Sequence, residues 1–285
     1  MKRLLSCAAA ILSAFLAACD SDIMPGQESR MVVEGWIDDG GFPVVMLSRS
    51  IPLSDKPQDA DSLYSYLIRW ASVSVSDGER TVMLTGKYDS RYFPPYVYTT
   101  GSMRGVAGRT YTLNVAFGDC HASATTTIPE RHAITSLSVV KAEKSDTLYQ
   151  INVTVDTDKA RGSYYQLFTS VGTGNRLFSA SYLGTINGSL LREGASIPVY
   201  RAHRLGAGMA YTPYFTLRDT LEVKLAHIDS EAYDFWTDYS RNQSLAGNLF
   251  MAPASNIRSN VSGADGCWCG MGADIKYVVI GDEVR

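Results

Sequence analysis

From residue 31 onward, apolar and polar positions alternate with the two-residue period of a half-buried strand. In "ASVSVSD" (71–77), Ala71, Val73 and Val75 alternate with Ser72, Ser74 and Ser76. In "RTYTLNVAF" (109–117), Tyr111, Leu113, Val115 and Phe117 alternate with polar partners. "VVEGWI", "PVVMLSRS", "RTVMLTG" and "ASATTTI" add strand candidates, each closed by Gly, Pro, Ser or Asp turn chemistry. About six or seven short strands in residues 31–130 is the spacing of a β-sandwich with one packed and one wet face.

Pro129, Glu130 and Arg131 interrupt this pattern, and a second series occupies residues 131–285. "YQINVTV" points Tyr149, Ile151, Val153 and Val155 inward, "SYYQLFTSV" follows, and "FTLRDTLEVKLAHI" is long enough for a bent strand or a hairpin arm. One helix is predicted, "DSEAYDFWTDYSRNQS" (229–244). Asp229 or Ser230 caps it, Glu231 suits its first turn, and Ala232, Tyr233, Trp236 and Tyr239 fall on adjoining faces. The expectation is an all-β protein of two β-sandwich domains, with this helix lying against the second sheet.

The beginning of the chain reads differently. Met1, Lys2 and Arg3 precede an apolar run from Leu4 to Leu16, then the small residues Ala17 and Ala18. Residues 1–18 therefore read as a signal peptide. The run is shorter than the roughly 20 apolar residues that a membrane-spanning helix needs. "LAAC" is similar to the bacterial lipobox, which makes Cys19 an acylated anchor. A diacylglycerol together with a third acyl chain would hold the protein stably on a membrane. Residues 19–30 are a polar tether. Asp20 and Asp22 resemble an acidic signal that sends lipoproteins to the outer cell surface. In other bacteria, Asp after the cysteine keeps lipoproteins in the inner membrane.

A wider resemblance covers nearly the whole chain beyond the signal peptide. "VVEGWIDDGGFPVVMLSRS", "GVAGRTYTLNVAFGDCHASATTTIP", "DTDKARGSYYQLF", "SEAYDFW" and "SNIRSNVSGADGCWCGMGAD", in that order, are similar to the lipoprotein family catalogued as domain of unknown function 4249. The resemblance implies an outer-membrane lipoprotein facing the cell exterior, often encoded beside a TonB-dependent receptor. It also implies an immunoglobulin-like or prealbumin-like first half, and it brings no established catalytic residues. Asn256, Gly263, Gly266 and Gly270 match the family's glycine-rich end, where turn geometry is the simplest reason. Cys267 and Cys269 depart from the family pattern.

Charge narrows the partners. The net charge of −3 becomes −5 once Lys2 and Arg3 leave with the signal peptide. This argues against nucleic acid, which requires a basic footprint. Hydrophobic residues at 45% suffice for real cores. Cys120, Cys267 and Cys269 are then the remaining thiols, an odd count that makes no disulfide framework. Cys267 and Cys269 in "GCWCG" are weak metal candidates, with His121, His132, His203 or His227 as helpers. Structural zinc sites usually show Cys-x2-4-Cys or a second pair. In a strand the two thiols would share a face and pack. In a turn they could oxidise to one another, or one could bridge to Cys120.

Catalytic motifs are missing: there is no His-Glu-x-x-His, no Gly-x-Ser-x-Gly and no Walker loop. "DTDKARG" reads as a surface turn because it lacks an EF-hand's glycine and closing glutamate. Asp38 and Asp39 before Gly40 and Gly41 read as a hairpin turn, and the four histidines are scattered. One stretch suggests contact with a ligand or partner. "KYDSRYFPPYVYTT" gathers Tyr88, Tyr92, Phe93, Tyr96 and Tyr98 around Pro94 and Pro95. Such rings either cover the end of the core or form a contact surface. The function expected is a non-catalytic binding or accessory component of TonB-dependent uptake, without a cofactor. A surface adhesin or scaffold is the alternative, ahead of a surface hydrolase.

Overall fold

The computed structural model describes residues 30–50, 64–92, 95–172, 177–202, 211–245 and 257–281. The strands are β1 (Met31–Asp38), β2 (Val44–Arg49), β3 (Ser72–Ser76), β4 (Thr81–Met83), β5 (Thr85–Tyr88), β6 (Tyr96–Thr99), β7 (Thr110–Phe117) and β8 (Cys120–Thr127). There follow β9 (Ile134–Lys141), β10 (Leu148–Val155), a helical turn α1 (Thr157–Ala160), β11 (Tyr164–Val171) and β12 (Ser179–Asn187). The chain continues through β13 (Ile197–Val199), β14 (Phe215–Thr216), β15 (Thr220–Ile228), helix α2 (Ser230–Leu245) and β16 (Asp265–Val279). The protein is all-β, built of sandwiched sheets with one long helix.

Both halves share one sheet. Eight strands in the order β12-β11-β15-β16-β1-β2-β6-β5 form it, and two four-stranded sheets accompany it. One is β4-β3-β7-β8. In the other, β10 carries β9 on one edge and β13 and β14 on the other. Because successive strand residues point to opposite faces, the large sheet has two distinct sides. Val33, Ile37, Val45 and Leu47 face inward onto Val73, Val75, Leu113 and Val115 in the first core. Further along, Leu167, Leu221, Val223 and Leu225 meet Ile151, Val153 and Val199 in the second. The opposite side carries α2: Tyr164 stacks on Tyr233 at 4.5 Å, and Trp236 sets its edge against Phe168 at 5.5 Å.

β16 joins the halves. Its first seven residues run parallel to β1, Val32 opposite Asp265 through Asp38 opposite Met271. From Gly272 it runs antiparallel to β15, His227 opposite Gly272 through Thr220 opposite Val279. Over the first stretch, side chains satisfy backbone groups that have no ladder partner, as buried polar groups require. The Asn260 amide accepts from Trp268 N–H and donates to its carbonyl, and Thr126 Oγ1 accepts from Gly270 N–H. Trp268 is fully buried in the first core, and its indole N–H donates to the Tyr111 carbonyl at 3.0 Å.

Three glycines let this strand fit. Gly263 and Gly266 both have positive φ, +81° and +129°, and Gly266 and Gly270 also meet neighbouring backbone. A Cβ on Gly266 would lie 1.8 Å from the Val33 carbonyl oxygen, and one on Gly270 would meet the Thr127 and Ile128 backbone at 2.9–3.0 Å. A Cβ on Gly272 would strike the Pro129 carbonyl at 2.2 Å. The β8–β9 connection therefore passes directly against the strand, and the glycines mark close backbone approach.

Other sequence expectations resolve in detail. "RTVMLTG" splits at buried Leu84 into β4 and β5, which enter different sheets. "FTLRDTLEVKLAHI" breaks at Arg218, with φ of +67°, into β14 and β15. Asp229 caps α2 through its Oδ1, which accepts from Ala232 N–H, while Thr126 donates to the other oxygen. Asp156 caps α1, accepting from Asp158 and Lys159 N–H. The hairpin reading of Asp38 is incomplete: its carboxylate grips Lys224 Nζ at 2.7 and 2.8 Å. Among the described residues, no helix is long and apolar enough to cross a membrane.

Trp268 heads the largest fully buried side chains of the protein and belongs to the first core. Trp268→Ala should lower stability by about 3–5 kcal/mol, measured by urea unfolding followed by near-ultraviolet circular dichroism.

Candidate functional site

The outward face of β3, β7 and β8 is built almost wholly of small hydroxyl side chains. The alternation that sends Val73, Val75, Tyr111, Leu113, Val115, Ala122 and Ala124 into the core sends their neighbours to solvent. Register then sorts those neighbours into cross-strand rows. Ser74, Asn114 and Ser123 lie side by side, as do Ser76, Thr112 and Thr125, and Ser72, Ala116 and His121. Thr110 and Thr127 close the series, with hydroxyls 2.7 Å apart. No outward position in these rows is charged.

One end of this face is hollowed into an open groove of about 440 Å³, within the size range of small-molecule sites. Ser72, Ser74, Asn114, His121 and Ser123 line it together with Ser262. Ser262 arrives from the segment before β16 and is held by a reciprocal backbone pair with Ser123, at 2.8 and 3.0 Å. Two large exposed apolar residues neighbour the lining serines in register or in sequence. Met83, opposite Ser74 on the edge strand, is 58% exposed, and Trp70, two residues before Ser72, is 87% exposed. The alternation of "SVSVS", "TYTLNVAF" and "CHASATTT" held the signal for this face, since every wet position there is small or neutral.

The tyrosine stretch is not one surface. Tyr98 is buried, donates its hydroxyl proton to the Ile68 carbonyl at 2.9 Å and accepts from Ala71 N–H at 3.0 Å. Tyr96 donates to the Arg69 carbonyl and packs edge-on against Tyr98. Both rings thereby fasten the segment that leads into Trp70 and β3. Tyr92 sits on the other side of the large sheet, against Trp36, Val44, Met46 and Val97. Tyr88 is 72% exposed. Phe93, like Cys19, lies outside the described residues.

Cys267 and Cys269 share the α2-facing side of β16, as a strand requires, and all three described cysteines are free thiols. Both are buried, and the neighbouring Cys267 together with burial pushes the Cys269 thiol well above its ordinary value, so it stays protonated. Cys120 is exposed at the β7–β8 turn. Among the described residues no three His, Cys, Asp or Glu side chains gather as metal ligands.

Two histidines scattered in sequence come together. His132 and His227 stack at 4.4 Å where the β8–β9 connection crosses the large sheet. His227 Nδ1 contacts the Glu130 carbonyl at 2.7 Å, and His132 Nδ1 lies 2.6 Å from the Tyr165 hydroxyl. Burial lowers both imidazole pKa values; His227 and Lys159 lower that of His132 further, while Asp156 and Glu130 oppose.

The family model described as a domain of unknown function, DUF4249, matches residues 19–272. The chain belongs to that family. No curated protein matches it. The DUF4249 match begins at Cys19 and ends at Gly272, where β16 leaves β1 and joins β15. It therefore takes in the whole hydroxyl face and the Ser262 segment.

Two predictions separate packing from function in this DUF4249 chain. Tyr98→Phe orphans a buried carbonyl and N–H and should cost about 1–3 kcal/mol. Tyr88→Ala should stay within about 0.5 kcal/mol of the parent; thermal denaturation of both variants distinguishes them. For the histidine pair, folded pKa values below the ordinary value mean that the unfolded chain binds protons more readily. Their contribution is thus present above about pH 6.5 and is lost as pH falls. The melting temperature should drop between pH 7 and 5, and the drop should shrink in a His132→Gln/His227→Gln variant.

Proposed function

We propose that this DUF4249 chain is an outer-membrane lipoprotein, anchored through Cys19 and facing the cell exterior. In this reading it is a non-catalytic binding or accessory component of TonB-dependent nutrient uptake. The observation that carries the binding role is the groove on the hydroxyl face, carried by three paired strands and by Ser262, which is bridged to them through Ser123. A groove fixed in a sheet holds its donors and acceptors in place before a ligand arrives, which reduces the ordering cost of binding. The lipobox resemblance supports the anchor, and a family match that starts at Cys19 is consistent with a mature chain starting there.

The adhesin or scaffold reading draws on the breadth of the same face, which extends beyond the groove along the Thr112–Thr125 and Thr110–Thr127 rows. Purification of the native lipidated protein in mild detergent, with mass spectrometry of its partners, separates the two readings. A stoichiometric β-barrel receptor supports uptake. Protease accessibility on whole cells without a barrel partner supports the adhesin. For the anchor, Cys19→Ala should abolish incorporation of an alkyne-palmitate label and move the protein out of the membrane fraction; label retained in that variant would exclude lipidation at this residue.

A further inference from the structure

We infer that the groove on β3, β7 and β8 is a site for a neutral saccharide, with Trp70 as its stacking platform. The inference rests on the binding-module reading but not on a receptor partner. Its first support is the chemistry of the lining. Ser72, Ser74, Ser123 and Ser262 offer hydroxyls, and Asn114 offers a carboxamide, groups that both donate and accept hydrogen bonds. Vicinal sugar hydroxyls also do both, so each can be matched in either sense. His121 adds one ring nitrogen of each kind when neutral.

Charge excludes the main rivals. No lysine or arginine lines the groove to hold a phosphate or carboxylate, and no aspartate or glutamate lines it to hold an amine. A purely apolar ligand would strip water from the hydroxyls and leave them unsatisfied. An extended peptide is recognised by adding to a sheet edge through backbone groups, whereas this groove lies on a sheet face whose strands are already paired on β3 and β7.

Trp70 supplies what a polar groove lacks. It is a large ring left 87% exposed, and its Cα is within about 7 Å of that of Ser72 by chain geometry. Its position is fixed from behind: Tyr96 and Tyr98 bond the carbonyls of Arg69 and Ile68, and Ala71 N–H bonds back to Tyr98. An exposed aromatic two residues from groove-lining Ser72 offers a flat π surface to the C–H face of a sugar ring while the ring's hydroxyls reach the serines and Asn114. Tyr96 and Tyr98 are positioning residues in this arrangement, and Trp70 and Asn114 make the contact.

The test is isothermal titration calorimetry on the full mature chain in mild detergent. The probes are cellotetraose, xylotetraose and maltotetraose, with tetragalacturonate and sialyllactose as charged counterparts. At least one neutral probe should bind, and the charged ones should bind at least tenfold more weakly. Trp70→Ala should weaken the binding at least tenfold and Asn114→Ala severalfold, both at unchanged melting temperature because both side chains are exposed. The inference is overturned if no neutral probe binds at about 10 mM, if the charged probes bind as well as the neutral ones, or if Trp70→Ala binds as the parent does. A receptor that co-purifies while no saccharide binds removes the ligand class and leaves the uptake reading standing. Saccharide binding without a receptor does the reverse.

Discussion

The structure depends on one shared strand. β16 is the parallel neighbour of β1 for half its length and the antiparallel neighbour of β15 for the rest, so it is the strand that joins the two halves into one sheet. Much else follows from threading a strand between two sandwiches. Glycines stand where other backbone presses on it, Asn260 and Thr126 bond the edge that no strand covers, and Trp268 fills the volume opposite Gly35. On the other side of the sheet, Lys224 of β15 reaches across β16 to Asp38 of β1. Lys224 is buried, and Phe168 and Phe178 lie 5.3 and 5.6 Å from its ammonium. A buried cation needs its partner, and here the partner belongs to the opposite half.

This arrangement decides where function can sit. One side of the large sheet is taken up by two cores and part of the other by α2 and its aromatic contacts, while the end of β16 leaves Ile275, Tyr277 and Val279 exposed. The outer sheets keep free faces, and on β3, β7 and β8 the outward residues are mostly small hydroxyl side chains with no lysine, arginine, aspartate or glutamate. Its groove is completed by Ser262, immediately upstream of the shared strand, so the site and the joint of the molecule are a few residues apart.

Legibility in the sequence followed physical locality. Strands with one wet face announced themselves by alternation, and α2 by its cap and its apolar faces, because both signals lie within a dozen residues. β16 did not read as a strand: its glycines look like turn chemistry until the backbone that presses on Gly266, Gly270 and Gly272 is seen, and that backbone is distant in sequence. The pairings of His132 with His227 and of Asp38 with Lys224 are likewise products of topology, not spacing. The tyrosine stretch stands out by composition, but its rings divide between two sides of a sheet, a partition set by β6 alternation and by a turn that composition does not encode. The hydroxyl face was visible as polar partners of core residues. What stayed hidden was that three strands would bring those partners into register.

The parallel pairing of β1 with β16 also has a temporal meaning. About 230 residues separate Val33 from Gly266, which faces it in the ladder, so this pairing closes a loop that contains every strand from β2 to β15. Contacts so distant in sequence form late, because the loop must close before the pairing rewards it. The β7–β8 hairpin needs only neighbouring residues, whereas the joint between the halves waits until both distant strands are present.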